Sequence, residues 1–568
     1  MARIKDQTKT TSLKTDDSFA LDRNTPDETF RIEFSDMKNQ ILSLEVNDIG
    51  IAGDLGFGVG ICPSELLPAY IIGKTGYTNR ADDNYGNYVC TIDGSVMCWI
   101  PAFVFKYDIN NNVTIKSFKN YGYSSDAATT DGYVLYRSFI DGGVEKKGFF
   151  WDKYNPSLTN FVYNTSGILS SIKNGNPISS AVTTLRNASN NYAGSFSNCK
   201  SNGQSPADIY GGAWAAVKSR GNDFAVTSIF ITEAIALLSL AHGQAATSTA
   251  YCAWYDVTGA KNYPKGNNNY TTDIDDATVT FTNCDDGYWS LQNAARKNGS
   301  GSNFAKTTHN GQNCGVSDIN GNQYNIVQGF TSNNVVAKNI TAITRAIQAV
   351  FTIATHGYTT GQQVMVTGSD TVEWQNLINN QFFTVEVVDI NTFKLKFNYD
   401  NSYVNSVALL LDYDGIGFTA TTGDFYVLKE SVALKNVTGG NSLTISDHFN
   451  STFITANFDK VTPIFRDGTF GQRYGNSTNQ VLGFSTDRTS ATYKLAAAGM
   501  VKDYNSINTS GTNKFGIDYF YQYIVSELCP LRFGSWYDST TAGVWYVYWV
   551  TGRASSYSNV SARACLYV

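Results

Sequence analysis

The stretch NQFFTVEVVDINTFKLKFN at 380–398 holds two runs in which apolar and polar residues alternate, separated by an Asp-Ile-Asn-Thr turn. A period of two puts every second side chain on one face of a pleated strand, so such a run suits a sheet and not a helix. Just upstream, AVFTIATHGYTTGQQVMVTGSD carries two more short runs, broken at His-Gly, Thr-Gly and Gly-Ser-Asp. Four strands with turn chemistry between them predict a compact β module over 336–420. The composition extends this texture to the whole chain: 49 Gly, 35 Tyr and 33 Phe favour strands and tight turns over bundles. The expected fold class is α+β and β-rich, and 568 residues allow several domains.

Three segments are expected. Residues 1–48 read as a strand, an Asn-Thr-Pro-Asp turn, a second strand with Phe30, Ile32 and Phe34 facing inward, and a short helix beginning near Ser35. A hairpin of this size cannot hold a core alone, so it is expected to dock on another chain or on copies of itself. Residues 49–335 and 421–568 share one style, short strands and a few helices among Gly- and Asn-rich loops, and the 336–420 module interrupts it. Within the larger unit, DNYGNYVCTIDGSVMCWIPAFVFKYDI predicts a hairpin turning at Asp93-Gly94. The best helix is expected over 232–242, with Thr232 as its N-cap, Glu233 in its first turn and Gly243 ending it.

Several function classes are disfavoured. A net charge of −6 with no Lys/Arg run offers no electrostatic footprint for nucleic acid. The longest apolar run, IFITEAIALLSLA, is too short to cross a bilayer and contains Glu233, so no membrane insertion is expected. The N-terminus lacks the apolar core of a secretory signal. Nine scattered cysteines without a CxxC pair are read as buried thiols and not as disulfides or a zinc site. TTDIDD at 271–276 clusters acids but lacks the Gly and distal Glu of an EF-hand, so it is read as a solvated loop. His242, His309, His356 and His448 lie far apart and are read as structural or surface residues. No catalytic residue, metal site or cofactor is expected.

The chain ends in GSWYDSTTAGVWYVYWVTGRASSYSNVSARACLYV, where eight of 35 residues are Trp or Tyr and three are charged. Alternation places Val544, Val547 and Trp549 inward and Trp545, Tyr546 and Tyr548 outward, and Trp536 reads as core. Tyr and Trp give large contact area for little rotamer entropy, and Ser, Thr and Gly add adaptable hydrogen bonds, as in antibody paratopes.

This closing segment, together with LLSLAHGQAATSTAYCAWYD, NYPKGNNNY and GVSDINGNQYNI, resembles the C-type-lectin-like domain of the formylglycine-generating-enzyme subclass, in particular its bacteriophage tail-protein members. The resemblance covers 49–335 and 421–568. The phrase HGYTTGQQV makes 336–420 similar to a small β-barrel module that phage tail proteins share with ubiquitin-activating enzymes, and 1–48 resembles tail-fibre attachment segments.

The resemblance implies a lectin-like domain with an inserted small β-barrel and an N-terminal attachment hairpin, in a virion tail protein assembled in the host cytoplasm, as a homotrimer. Its implied partners are a host-cell surface receptor, glycan or outer-membrane protein, and other tail proteins bound through 1–48. The implied receptor-binding positions are Tyr537, Asp538, Trp545, Tyr546, Tyr548, Val550, Thr551, Ser555 and Tyr557, on a frame of Gly534, Ala542, Gly543, Val544 and Arg553. The enzymes of the subclass use a close cysteine pair. Here the nearest, Cys90 and Cys98, is far in sequence from the terminal motif, so catalysis is not carried over. Two alternatives stay open: a virion-associated glycan depolymerase, which needs two opposed carboxylates in a groove, and a purely structural tail-tip or baseplate subunit.

Overall fold

A computed structural model describes residues 18–22, 29–33, 46–108, 112–162, 166–178, 209–245, 267–268, 272–273, 278–282, 295–301, 308–439, 445–465, 472–473, 485–500, 518–538, 541–553, 557 and 559–568. The fold is α+β and rich in antiparallel strands. The expected hairpin forms where the Asp-Gly signal put it. Asn87–Cys90 pairs with Val96–Pro101 in the register Asn87↔Cys98 and Val89↔Val96, and Gly94 takes φ +79° in the turn. The Asp93 carboxylate braces that turn by accepting from the Ser95 amide at 3.0 Å.

All six residues of Val96–Pro101 are buried, because this strand lies inside a six-stranded antiparallel sheet. The order is Phe224–Val226, Ala564–Tyr567, Gly148–Asp152, Val96–Pro101, Asn87–Cys90, Ile71–Gly73. A second six-stranded sheet is mixed. Val560–Ala562 and Tyr324–Ile326 run parallel, as do Tyr519–Gln522 and Val547–Trp549, with Leu531–Arg532 antiparallel between the two pairs.

The C-terminus belongs to both sheets, one strand on each side of Arg563. Its buried guanidinium donates to Asn155 Oδ1 and Asn325 Oδ1 at 2.9 Å each and to the carbonyls of Asp152 and Lys153 at 3.3 Å. A dense aromatic terminus is therefore the seam of the core and not a frayed end.

The helix spans Ile229–Ala245, longer than the sequence pattern predicts at both ends. Ser228, not Thr232, serves as the cap: its Oγ accepts from the Ile231 amide at 3.3 Å, while the Thr232 hydroxyl donates to the Ile229 carbonyl at 2.8 Å. Gly243 lies inside the helix. Every residue from Ile229 to Gly243 is buried, so packing on all sides overrides the local stop signal. Glu233 is buried as well and pairs with Arg532, whose Nη2 also donates to the Val544 carbonyl at 3.0 Å.

Phe330–Asn339 and Phe418–Leu428 pair antiparallel across a register shift between Asn333 and Val336. The near halves, with Phe330 and Phe425, pack into the main core. The far halves lead into a core formed by residues between Ile340 and Ala420, including Phe351, Val366, Trp374, Phe383 and Phe393. The four expected strands are Val350–Thr352, Gln363–Gly368, Gln381–Val387 and Thr392–Phe397. Where only a Gly-Ser-Asp turn was expected, the helix Val372–Ile378 follows. Its two buried residues, Trp374 and Ile378, are one turn apart, too short a pattern to declare a helical period.

Ser18–Asp22 and Thr29–Glu33 pair antiparallel with Phe19 opposite Ile32 and Leu21 opposite Phe30. The turn at 24–27 and the helix expected near Ser35 lie outside the described residues, as does TTDIDD apart from the strand Thr272–Asp273. The six described cysteines are buried free thiols, and burial raises Cys90 to about 11 and Cys98 to about 12.

All four histidines are buried. Burial first, then the neighbouring His242, depresses His309 to about 3; burial and Arg553 do the same to His448. Both rings accept backbone N–H groups, His309 Nδ1 from Val316 at 3.1 Å and His448 Nε2 from Gly329 at 3.2 Å, which requires the neutral form. Their folded pKa values lie below the ordinary 6.5, so each contributes stability that is present above pH 6.5 and lost as pH falls toward 3. Each is expected to contribute up to ~1.4 kcal/mol per pH unit. His448→Gln should therefore show a shallower loss of unfolding free energy between pH 6 and pH 4 in denaturant titrations. An unchanged slope would mean that His448 is not held neutral.

Candidate binding face

Tyr519–Gln522 exposes alternate side chains: Phe520 and Gln522 are buried, while Tyr519 and Tyr521 are half-buried, and Tyr523 continues the outward row. Parallel pairing sets Tyr521 beside Tyr548, with ring centroids 5.3 Å apart. Tyr324, itself buried, packs 5.4 Å from Tyr548, and Tyr519 lies 5.5 Å from Tyr521. The result is a contiguous row of tyrosine rings along one face of the mixed sheet.

Beneath this row is a hydrogen-bonded base. Tyr546 Oη donates to Asp538 Oδ1 at 2.7 Å and lies 3.1 Å from Tyr324 Oη. The other Asp538 oxygen accepts the Ser535 amide at 2.7 Å and its hydroxyl at 3.1 Å, and Asn559 Nδ2 donates to Ser535 Oγ at 3.0 Å. Burial raises the Asp538 pKa, opposed by these donors. Burial also lifts Tyr548 to about 12, with Tyr557 and Asp538 adding to the effect. Tyr537 and Tyr557 are the most open of the group, 41 % and 47 % exposed.

Three of the implied receptor positions are corrected by this geometry. Trp545, Tyr546 and Thr551 are buried. The outward assignment broke the period of two at Trp545, which shares the buried phase of Val547 and Trp549; Tyr546 precedes the strand Val547–Trp549, whose phase does not extend to it. The Trp545 amide donates to Asp518 Oδ2 at 3.0 Å and its ring joins the main core. Thr551 is buried because its hydroxyl donates to the Cys529 carbonyl at 2.9 Å, while the Cys529 amide donates to the Thr551 carbonyl at 2.8 Å. Asp538, Tyr548 and Val550 are half-buried, and Ser555 lies outside the described residues. Val544, Val547, Trp549 and Trp536 are buried, as their inward assignment required.

The frame residues are close-packed. A Cβ on Gly543 would lie 2.2 Å from the Asp518 carboxylate, and Arg553 sits over the Phe449 ring at 5.1 Å, between Asp447 at 3.7 Å and Glu527 at 3.8 Å. Gly534 combines φ +73° with a Cβ position 2.6 Å from that of Ala542. Gly534→Ala should lower the unfolding free energy by about 1–3 kcal/mol, measured from the denaturation midpoint. A neutral result would contradict the turn geometry that holds Asp538.

Sequence reasoning missed Tyr519 and Tyr521 of the face and the buried Tyr324 that packs against Tyr548. The period-two spacing of Tyr519, Tyr521 and Tyr523 was a usable signal; the placement of Tyr324 beside them depends on sheet order. No protein-family model matches the chain, and no curated protein matches it.

Proposed function

We propose that this chain is a bacteriophage tail protein that attaches the virion to its host, using the tyrosine face around Tyr521, Tyr537, Tyr548 and Tyr557 to bind a surface receptor. The observation that carries the reading is the pairing of outward tyrosines with a rigid base, since a preorganised aromatic surface loses little entropy on binding. Tyrosine rings stack on the C–H faces of sugars and equally on apolar protein surface, so the receptor is a glycan or an outer-membrane protein.

In this reading the larger unit is a C-type-lectin-like domain, the module at 336–420 is an inserted β-barrel, and the N-terminal hairpin docks on other tail proteins. A homotrimer, present in several copies per virion, makes weak individual contacts sufficient through effective concentration. The chain is an adhesin and not an enzyme. The test is adsorption of purified protein to host cells after Tyr537, Tyr548 and Tyr557 are changed to Ala; retention of adsorption by a folded variant rejects the assignment.

A further inference from the structure

We propose that the outer end of the module at 336–420 is a docking surface for a protein partner with an apolar centre and a basic rim. The inference is independent of the tyrosine face. Phe330–Asn339 leaves the main core at Phe330 and reaches the module at Asn339, and Gly368 pairs with Phe418 at that outer end. There Ile347, Val372, Val407, Leu410, Leu411 and Ile416 are between 51 and 79 % exposed. Single exposed aliphatics are ordinary; six on neighbouring segments of one small module are the pattern of an interaction site.

The segments that carry them are tied together. Trp374 Nε1 donates to the Leu411 carbonyl at 3.1 Å, the Leu410 amide donates to Glu373 Oε2 at 3.0 Å, and the Ser406 amide donates to the Ala346 carbonyl at 3.0 Å. Tyr413, buried, donates to the Ile340 carbonyl at 3.0 Å and accepts the Phe418 amide at 3.2 Å. The backbone is thus anchored by buried aromatics while the aliphatic side chains next to the anchors face solvent. This loop displays its leucines on a fixed frame.

Charge selects the occupant. Asp370, Glu373, Asp412 and Asp414 each lie within two residues of one of these aliphatics, against Arg345, which pairs with Asp412 at 3.4 Å, and Lys394, which donates to Gln348 at 2.7 Å. An acidic rim repels a second copy of itself and an anionic lipid surface, and attracts a partner whose apolar centre is ringed by Lys or Arg.

The test uses the full chain and two fluorescent amphipathic peptides of equal length, one of Leu and Lys, one of Leu and Glu. The Leu/Lys peptide should bind, more weakly as salt rises, and Leu410→Asp with Ile416→Asp should weaken it at least tenfold. Both substituted side chains are exposed, so near-ultraviolet circular dichroism should be unchanged. Absent binding of the Leu/Lys peptide, equal binding of the Leu/Glu peptide, or undiminished binding by the variant would overturn the proposal. So would a wild-type dimer in sedimentation that the variant abolishes, or flotation with phosphatidylglycerol vesicles.

Discussion

Arg220→Met is expected to destabilise the chain by ~3–5 kcal/mol, enough to remove much of the 5–15 kcal/mol that holds a typical domain. Arg220 is fully buried. Its Nε lies 3.0 Å from Asp93 Oδ2, its Nη1 and Nη2 contact the two Asp152 oxygens at 2.7 and 3.2 Å, and Nη2 also donates to the Leu169 carbonyl at 2.7 Å. Asp93 accepts the hydroxyls of Ser95 and Ser170, and Asp152 accepts the Ala564 amide at 3.0 Å. One guanidinium therefore ties the Asp93-Gly94 turn, the strands Gly148–Asp152 and Ser166–Ser171, and the C-terminal strand into one unit.

Methionine fills similar space but strands two carboxylates in a site closed to water, and most of the cost is their uncompensated charge. Without Arg220 both folded pKa values rise above those of the unfolded chain, so protonation favours the fold. The deficit should then shrink as pH falls from 7 to 5, and Asp93→Asn with Asp152→Asn should recover part of it. Denaturant titrations of wild type and variant at the two pH values measure this. A loss below about 1 kcal/mol at pH 7 would contradict a closed ionic core.

How much of this was legible in the sequence depends on range. The Asp93-Gly94 hairpin and the four strands of the module were readable because turn chemistry and a period of two act over a few residues. The Ile229–Ala245 helix was recognised but its ends were misplaced, because Ser228 and Gly243 are governed by burial on all sides. The partners of Arg220 and Arg563 were not readable at all; they lie between 51 and 411 residues away in sequence. The same holds for the face. Tyr537 and Tyr557 came from the family resemblance, whereas Trp545 and Tyr546 were placed outward although Trp545 shares the buried phase of Val547 and Trp549 and Tyr546 precedes that strand, and Tyr324 entered only through strand order.

Adsorption is the second large effect expected. Tyr537 and Tyr557 are open to solvent and Tyr548 is half-buried, and the Ser535–Asp538 turn is fixed by Tyr546 and Asn559; exposed aromatic side chains of this kind act as binding hot spots. With about 1–2 kcal/mol lost per truncated ring, the triple Ala variant should lose on the order of 100-fold or more in affinity. Tyr546→Phe provides the contrast. It removes the hydroxyl that bridges Asp538 and Tyr324, so it should lower stability by about 1–3 kcal/mol while the folded fraction still adsorbs.

The decisive measurement is the binding isotherm of the purified chain on host cells, with folding of each variant verified. Receptor binding through the tyrosine face predicts saturable adsorption by the wild type and by Tyr546→Phe, and its loss when Tyr537, Tyr548 and Tyr557 are Ala. Undiminished adsorption by the folded triple variant would contradict it.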